Sequence, residues 1–331
     1  MIGKILKATL GLVAFGIGAA AASAVVLGNK RVDAWETLTP DDADEGDFVT
    51  LSDGARMHYV ARGDRGDPVV LIHGLIGSTH EWSENIEALA HTRRVWAIDL
   101  IGFGFSSRVT EPTYSLKYYS RSIREFLDAQ GIARASLVGH SLGGAVTLQF
   151  AHDYPERVDQ LILIAPAAYM LNLPSAVNMA ARVPFVPRAL MGFATTNTRA
   201  RLAAWRIALG DPKRFDPAEM ALRLRTMRVK GTTDALVSML ASPRASDLPR
   251  GLKTIQARTL LIWGDQDLAV PVAHGERLSR DLPNAELVIL EGAGHVPHAE
   301  FPAVVNPLLL DFLTRDERNL AKVEDPAWFA G

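Results

Sequence analysis

The 331-residue chain contains no cysteine. That absence excludes a disulfide framework, a thiol nucleophile, a cysteine-ligated zinc or iron–sulfur centre and a lipidated cysteine. An excess of one charge is also missing. Lys and Arg number 35 against 37 Asp and Glu, a formal net charge of −2, so there is no global basic field for nucleic acid. The histidines show no H-E-x-x-H or similar zinc spacing. No internal repeat or low-complexity tract appears beyond an Ala/Gly-rich start. What the chain does have is a hydrophobic fraction of 48%. That is too high for a wholly disordered polypeptide and, at this length, enough for one large or two ordinary domains.

The hydrophobic residues are unevenly placed. Ala8 to Gly28 forms an uncharged run of 21 residues, flanked by Lys4 and Lys7 before it and Lys30 and Arg31 after it. As a helix it would extend roughly 30 Å, the hydrocarbon thickness of a bilayer. The expectation is therefore a membrane anchor over residues 1–31, with a single-pass protein whose main domain is extracytoplasmic. Ala22-Ser23-Ala24 leaves open a cleavable signal peptide and a secreted product. The run that follows carries Asp33, Glu36, Asp41, Asp42, Asp44, Glu45 and Asp47 without Lys or Arg, and it reads as an acidic, solvated linker over residues 32–47.

From residue 48 onward short β-rich runs alternate with helical patterns. Phe48–Leu51 and Met57–Ala61 flank the turn signal Ser52-Asp53-Gly54, predicting a hairpin. Val69–His73, Val95–Leu100, Ser136–Gly139, Leu161–Ile164, Thr259–Trp263 and Glu286–Leu290 are continuous apolar runs of the kind that strands buried on both faces require. Helical patterns lie between them, so the class is α/β with a mostly parallel sheet covered by helices. Between Pro166 and about Arg250 no strand-like run appears, which predicts a helical cap at about 167–250. The cap is basic from Arg182 to Lys230, either as solvated helix faces or as a surface for anionic lipid headgroups. Met170, Leu171, Leu173, Met179, Phe185, Leu190, Met191, Phe193 and Trp205 are candidates to line an acyl pocket. Residues 315–331 read as a tail.

Gly139-His140-Ser141-Leu142-Gly143 follows a strand-like run and opens a helical one. G-x-S-x-G in that context is a nucleophile elbow, a turn so tight that the serine hydroxyl stands above the sheet. A serine needs a base, and the base an orienting acid. His295 ends E-G-A-G-H after the Glu286–Leu290 run, and Asp267 ends W-G-D-Q-D after Thr259–Trp263, with Asp265 as the alternative acid. Ends of parallel strands converge on one crevice.

HGLIGS, DLIGFGFS, GHSLGG, WGDQD and GAGHVPHAEFP, in this order between about 48 and 314, resemble the motifs of the α/β-hydrolase superfamily in its serine esterase and lipase branch. Ile101 and Arg258 stand where proline is common. The resemblance implies oxyanion donors at the backbone N–H groups of Leu75 and Leu142, structural roles for Asp99 and Ser106, and no metal or organic cofactor. An elbow serine separates the chain from the aspartate branches, the haloalkane dehalogenases and soluble epoxide hydrolases. With the apolar start it resembles membrane-anchored monoacylglycerol lipases. The expected function is hydrolysis of lipophilic carboxylic esters. Carbon–carbon bond hydrolysis or cofactor-free perhydrolysis by the same triad is the alternative, and a non-catalytic ligand-binding module a more distant one. The expected partners are a small-molecule ester and a membrane, reached through the N-terminal helix and the basic cap, with no nucleic acid.

Overall fold

The computed structural model describes residues 23–109, 114–169, 179, 183, 185–211, 217–241 and 248–314. Among them, eight strands form one sheet: β1 (Asp47–Thr50), β2 (Arg56–Arg62), β3 (Pro68–Ile72), β4 (Arg94–Ile98), β5 (Ala135–His140), β6 (Val158–Ile164), β7 (Arg258–Gly264) and β8 (Ala285–Leu290). Their order is β1-β2-β4-β3-β5-β6-β7-β8. The β1–β2 hairpin and the β2–β4 pair are antiparallel, and every later pairing is parallel.

The helices are α1 (23–35), α2 (Ile86–Ala90), α3 (Leu116–Ala129), α4 (Ser141–Asp153), α5 (Val186–Thr196), α6 (Thr198–Ala208), α7 (Pro217–Arg223), α8 (Thr232–Ala241), α9 (Leu248–Gly251), α10 (Ala273–Asp281), α11 (Pro297–Glu300) and α12 (Pro302–Thr314). Alternation along the central strands explains why the apolar runs are continuous. In β3, Val70 and Ile72 join one core with Phe126 and Leu127 of α3 and Val146 of α4. Val69 and Leu71 join a second core with Leu89 of α2 and Leu309 and Phe312 of α12. Each such fully buried side chain contributes about 1.5–3 kcal/mol, so a polar residue on either face would be costly. The elements α5 to α9 intervene between β6 and β7 and form the cap.

The acidic run and the basic cap, read separately in the sequence, are two sides of one interface. Val32 of α1 is fully buried. The approach of α1 to α5 is close enough that a Cβ on Gly28 would lie 2.7 Å from that of Ala189, and one on Gly192 would run into Val32. Arg188 bonds Asp33 at 2.8 Å and Asp234 of α8 at 2.8 Å. Glu36, also buried, accepts the backbone N–H groups of Gly231 at 2.8 Å and Thr233 at 2.7 Å, satisfying donors that the start of α8 leaves open. Leu38 pairs with Val229 in a parallel bridge, and Arg225 bonds Asp44. The guanidinium groups of Arg201 and Arg228 lie over the Trp35 ring, 4.6 and 5.6 Å from its centre. Within residues 32–47, Asp33, Glu36, Leu38 and Asp44 therefore dock on the cap, while Asp41 and Glu45 pair with Arg56 and Arg62 of β2, where a solvated tether was expected.

The membrane localisation expected from Ala8–Gly28 does not stand. No helix among the described residues is long and apolar enough to cross a membrane. Residues 8–22 of that run lie outside the described residues. The remainder belongs to α1, which continues through Lys30, Arg31 and Asp33; it packs on the cap through Gly28 and Val32, while Val26 and Leu27 are exposed. The tail at 315–331 also lies outside the described residues.

Candidate active site

At the end of β5 the chain turns into α4 within one residue. Ser141 takes the left-handed conformation, φ 50°, a region costly for a residue with a side chain. The glycines around it make the turn sterically feasible. A Cβ on Gly143 would run into the carbonyl oxygens of Ile72 and His73, and one on Gly139 into Thr147. Glycine is thus required where the backbone of α4 presses on β3.

The strand ends bring the three predicted side chains together. His295 Nε2 lies 2.9 Å from Ser141 Oγ, and Nδ1 lies 2.8 Å from Asp267 Oδ2. The second carboxylate oxygen of Asp267 accepts the N–H groups of Ala269 and Val270, each at 2.8 Å. An acceptor on that side selects the imidazole tautomer with its proton on Nδ1, which leaves the Nε2 lone pair facing the serine. Burial holds the His295 imidazole below the ordinary 6.5; the bond to Asp267 opposes that shift and the neighbouring His140 adds to it. Asp265 is turned elsewhere and accepts Gly292 N–H at 2.8 Å. Asp99 and Ser106 are buried beneath the site: Asp99 accepts His58 Nδ1–H and the N–H groups of Thr79 and Phe105, and Ser106 Oγ donates to the Asp99 carbonyl.

Leu75 and Leu142 both border the space above Ser141. Leu142 is the second residue of α4, where N–H groups have no carbonyl of their own helix to bond. Gly74 lies against the serine, close enough that a Cβ on it would stand 3.2 Å from that of Ser141.

The space itself is a cavity of about 870 Å³ between sheet and cap. Beyond Ser141 and His295 its walls are mostly apolar, with Met191, Leu224, Met227, Met239, Leu240 and Leu248 among them. Of the side chains expected to form an acyl pocket, Met191 does line it. Met179, Phe185 and Leu190 are exposed instead, and Phe193 is not among the lining residues but carries the Arg31 guanidinium 5.0 Å over its ring. Met170, Leu171 and Leu173 lie outside the described residues, as does the side chain of Trp205. The cap also grips the histidine loop. Ala208 O accepts His295 N–H at 2.7 Å, and Glu300 accepts Gly294 N–H at 2.9 Å and Gly210 N–H at 2.8 Å.

One group of residues escaped the sequence reading. Glu81, in the turn Thr79–Trp82, accepts His140 Nδ1–H at 2.8 Å and lies 3.7 Å from His298 Nε2. Ligand-type atoms of Glu81, His140 and His298 lie within 4.8 Å of one another, but both His140 nitrogens are already engaged, by Glu81 and by the His295 carbonyl, and the cluster is not read as a metal site. A lone acid 59 residues ahead of its partner carries no spacing signal.

Residues 67–302 match the alpha/beta hydrolase fold family. The chain is 34% identical, over 76% of its length, to the dihydrolipoyllysine-residue acetyltransferase component of the acetoin cleaving system of Pseudomonas putida, and spans 65% of that protein. It is 31% identical to a 2-hydroxy-6-oxononadienedioate/2-hydroxy-6-oxononatrienedioate hydrolase of Paraburkholderia phymatum, over 84% of this chain and 99% of that one. Among solved structures it is similar to a meta-cleavage product hydrolase from Pseudomonas fluorescens IP01, with a TM-score of 0.67 and 26% identity over 81% of this chain and 97% of that one.

Proposed function

The chain belongs to the α/β-hydrolase fold family, and we propose that it is a serine hydrolase cleaving carboxylic esters with an apolar acyl group. The observation that carries this reading is the unbroken line Asp267–His295–Ser141 opening into a capped apolar cavity. His295 Nε2 takes the proton from Ser141 Oγ as that oxygen attacks the ester carbonyl. Asp267 holds the resulting imidazolium, and the Leu75 and Leu142 N–H groups receive the oxyanion. As the tetrahedral intermediate collapses, the carbon–oxygen bond to the alcohol breaks and His295 returns the proton to the leaving oxygen. A water deprotonated by the same imidazole then attacks the acyl-serine, releasing the acid and restoring Ser141.

A second reading, carbon–carbon bond hydrolysis with the same three residues, is favoured by the likeness to the Paraburkholderia phymatum hydrolase and the meta-cleavage product hydrolase. The two readings separate on kcat/KM for p-nitrophenyl esters of rising chain length against a vinylogous 1,5-diketone. Ester turnover that rises with acyl length and exceeds diketone cleavage supports the ester reading. The reverse preference assigns the triad to carbon–carbon cleavage.

A further inference from the structure

The imidazole of His140 is buried against the back of His295, their ring centres 4.8 Å apart. Its two nitrogens face a carboxylate oxygen, an acceptor when ionised, and a carbonyl oxygen. Nδ1 lies 2.8 Å from Glu81 Oε1, and Nε2 lies 2.9 Å from the carbonyl oxygen of His295. Glu81 also accepts Gly74 N–H on both oxygens, as a carboxylate does, and a neutral imidazole carries one N–H, so donating to this carboxylate and to the carbonyl requires both ring protons. The neighbouring His73 shows the contrast. Its Nδ1 faces the Gly74 carbonyl at 2.7 Å while its Nε2 accepts the Leu100 N–H at 3.0 Å, one donor and one acceptor, as in a neutral ring.

We propose that His140 is a fixed imidazolium, ion-paired with Glu81, which acts as a positioning residue by anchoring the backbone of His295 and opposing a second positive charge on the catalytic ring. This proposal rests on the reading of His295 as general base. Glu81 ties in the other half of the site as well, because its two oxygens accept Gly74 N–H at 3.1 and 3.3 Å. One partly buried carboxylate thus fixes both the loop of the oxyanion donor and, through His140, the loop of the base. Burial alone would raise the Glu81 carboxyl and lower the His140 imidazole. Their mutual attraction prevails in both, bringing Glu81 down to about 2 and lifting His140 above its ordinary value.

The other charged or titratable groups around the pair are Asp267, beyond His295; His73, after β3; His298, on α11; and Arg223, at the end of α7. His298 is fully buried, and burial followed by the charge of His140 keeps it neutral; Arg223 pairs with Glu219 at 2.9 Å and donates to the Glu81 backbone carbonyl at 3.3 Å, so His140 is the cation bonded to the Glu81 carboxylate. His140 lies between Glu81 and His295, and the cation is therefore nearer the base than its counterion is. The pair thereby disfavours protonation of His295, which stays a free base to lower pH and is a stronger acid towards the leaving group once protonated.

The test uses the full chain with its histidine rings labelled with nitrogen-15. In the wild type, both His140 nitrogens should remain protonated at pH values where an ordinary histidine has lost its charge. Glu81→Gln should discharge His140 while leaving His58, whose nitrogens face Asp99 and the Glu45 carbonyl, charged as an internal control. The His295 midpoint, read in the same spectra and as the acid limb of kcat/KM for a p-nitrophenyl ester, should rise by about one pH unit in Glu81→Gln and at least as far in His140→Gln. A neutral His140 in the wild-type spectrum overturns the proposal whether or not the variants fold. An unmoved His295 midpoint in folded variants overturns it too. Failure of ester hydrolysis in the wild type would count against the proposed function alone, because the spectra decide the state of His140 without turnover.

Discussion

Asp267 and His295 meet through one carboxylate oxygen at 2.8 Å, and the other oxygen of Asp267 is held by the N–H groups of Ala269 and Val270. The carboxylate therefore cannot swing away from the imidazole, and its acceptor character dictates which ring nitrogen is bare. Asp267→Asn would preserve the shape but offer a donor to Nδ1, turning the proton of the neutral ring towards the serine. We expect kcat to fall by about 10⁴ with little change in KM, because the loss is one of tautomer and charge. Steady-state ester hydrolysis checks this, and a loss confined to KM would count against the orienting role.

Glu36 joins the N-terminal segment to the cap through two charge-assisted bonds at the start of α8. Glu36→Ala should destabilise the chain by about 2 kcal/mol in urea unfolding, since two buried N–H groups lose their acceptor. The cap is also less firmly held, so KM for long-chain esters should rise more than KM for acetate. A stability change near zero would mean that the docking of residues 32–47 contributes little.

Ala194 borders the cavity from α5. Ala194→Trp would fill part of the space that an acyl chain needs while leaving Ser141, His295 and Asp267 in place. The expected result is a loss of about tenfold or more in kcat/KM for the longest ester tested, with acetate hydrolysis retained. An equal loss for every chain length would indicate that this wall does not contact the acyl group.

Much of this arrangement is legible in the sequence because single, local constraints dictate it. The strand runs are continuous because both faces of β3, β5, β6 and β7 are covered. Gly139 and Gly143 mark the elbow because no larger residue fits, and Asp267 and His295 announce themselves at strand ends. What escapes depends on partners far apart in the chain. The acidic run around Asp33 and Glu36 gives no hint that Arg188 and the start of α8 receive it. The facing of Met191 into the cavity and of Phe185 and Leu190 into solvent is set by how α5 docks, and hydrophobicity does not distinguish them. Of the Ala8–Gly28 run only residues 23–28 are described, and there Gly28 packs against Ala189 while Val26 and Leu27 are exposed. Glu81 is invisible until the fold brings it to His140.

The central claim is that Ser141 forms a covalent acyl intermediate with help from His295. Intact-mass analysis after reaction with a fluorophosphonate tests it most directly. The account predicts one phosphonyl adduct, mapped to Ser141, formed by the wild type and absent from Ser141→Ala, with labelling strongly slowed in His295→Ala. An adduct of equal stoichiometry in Ser141→Ala, or ester hydrolysis that continues undiminished in that variant, would contradict it.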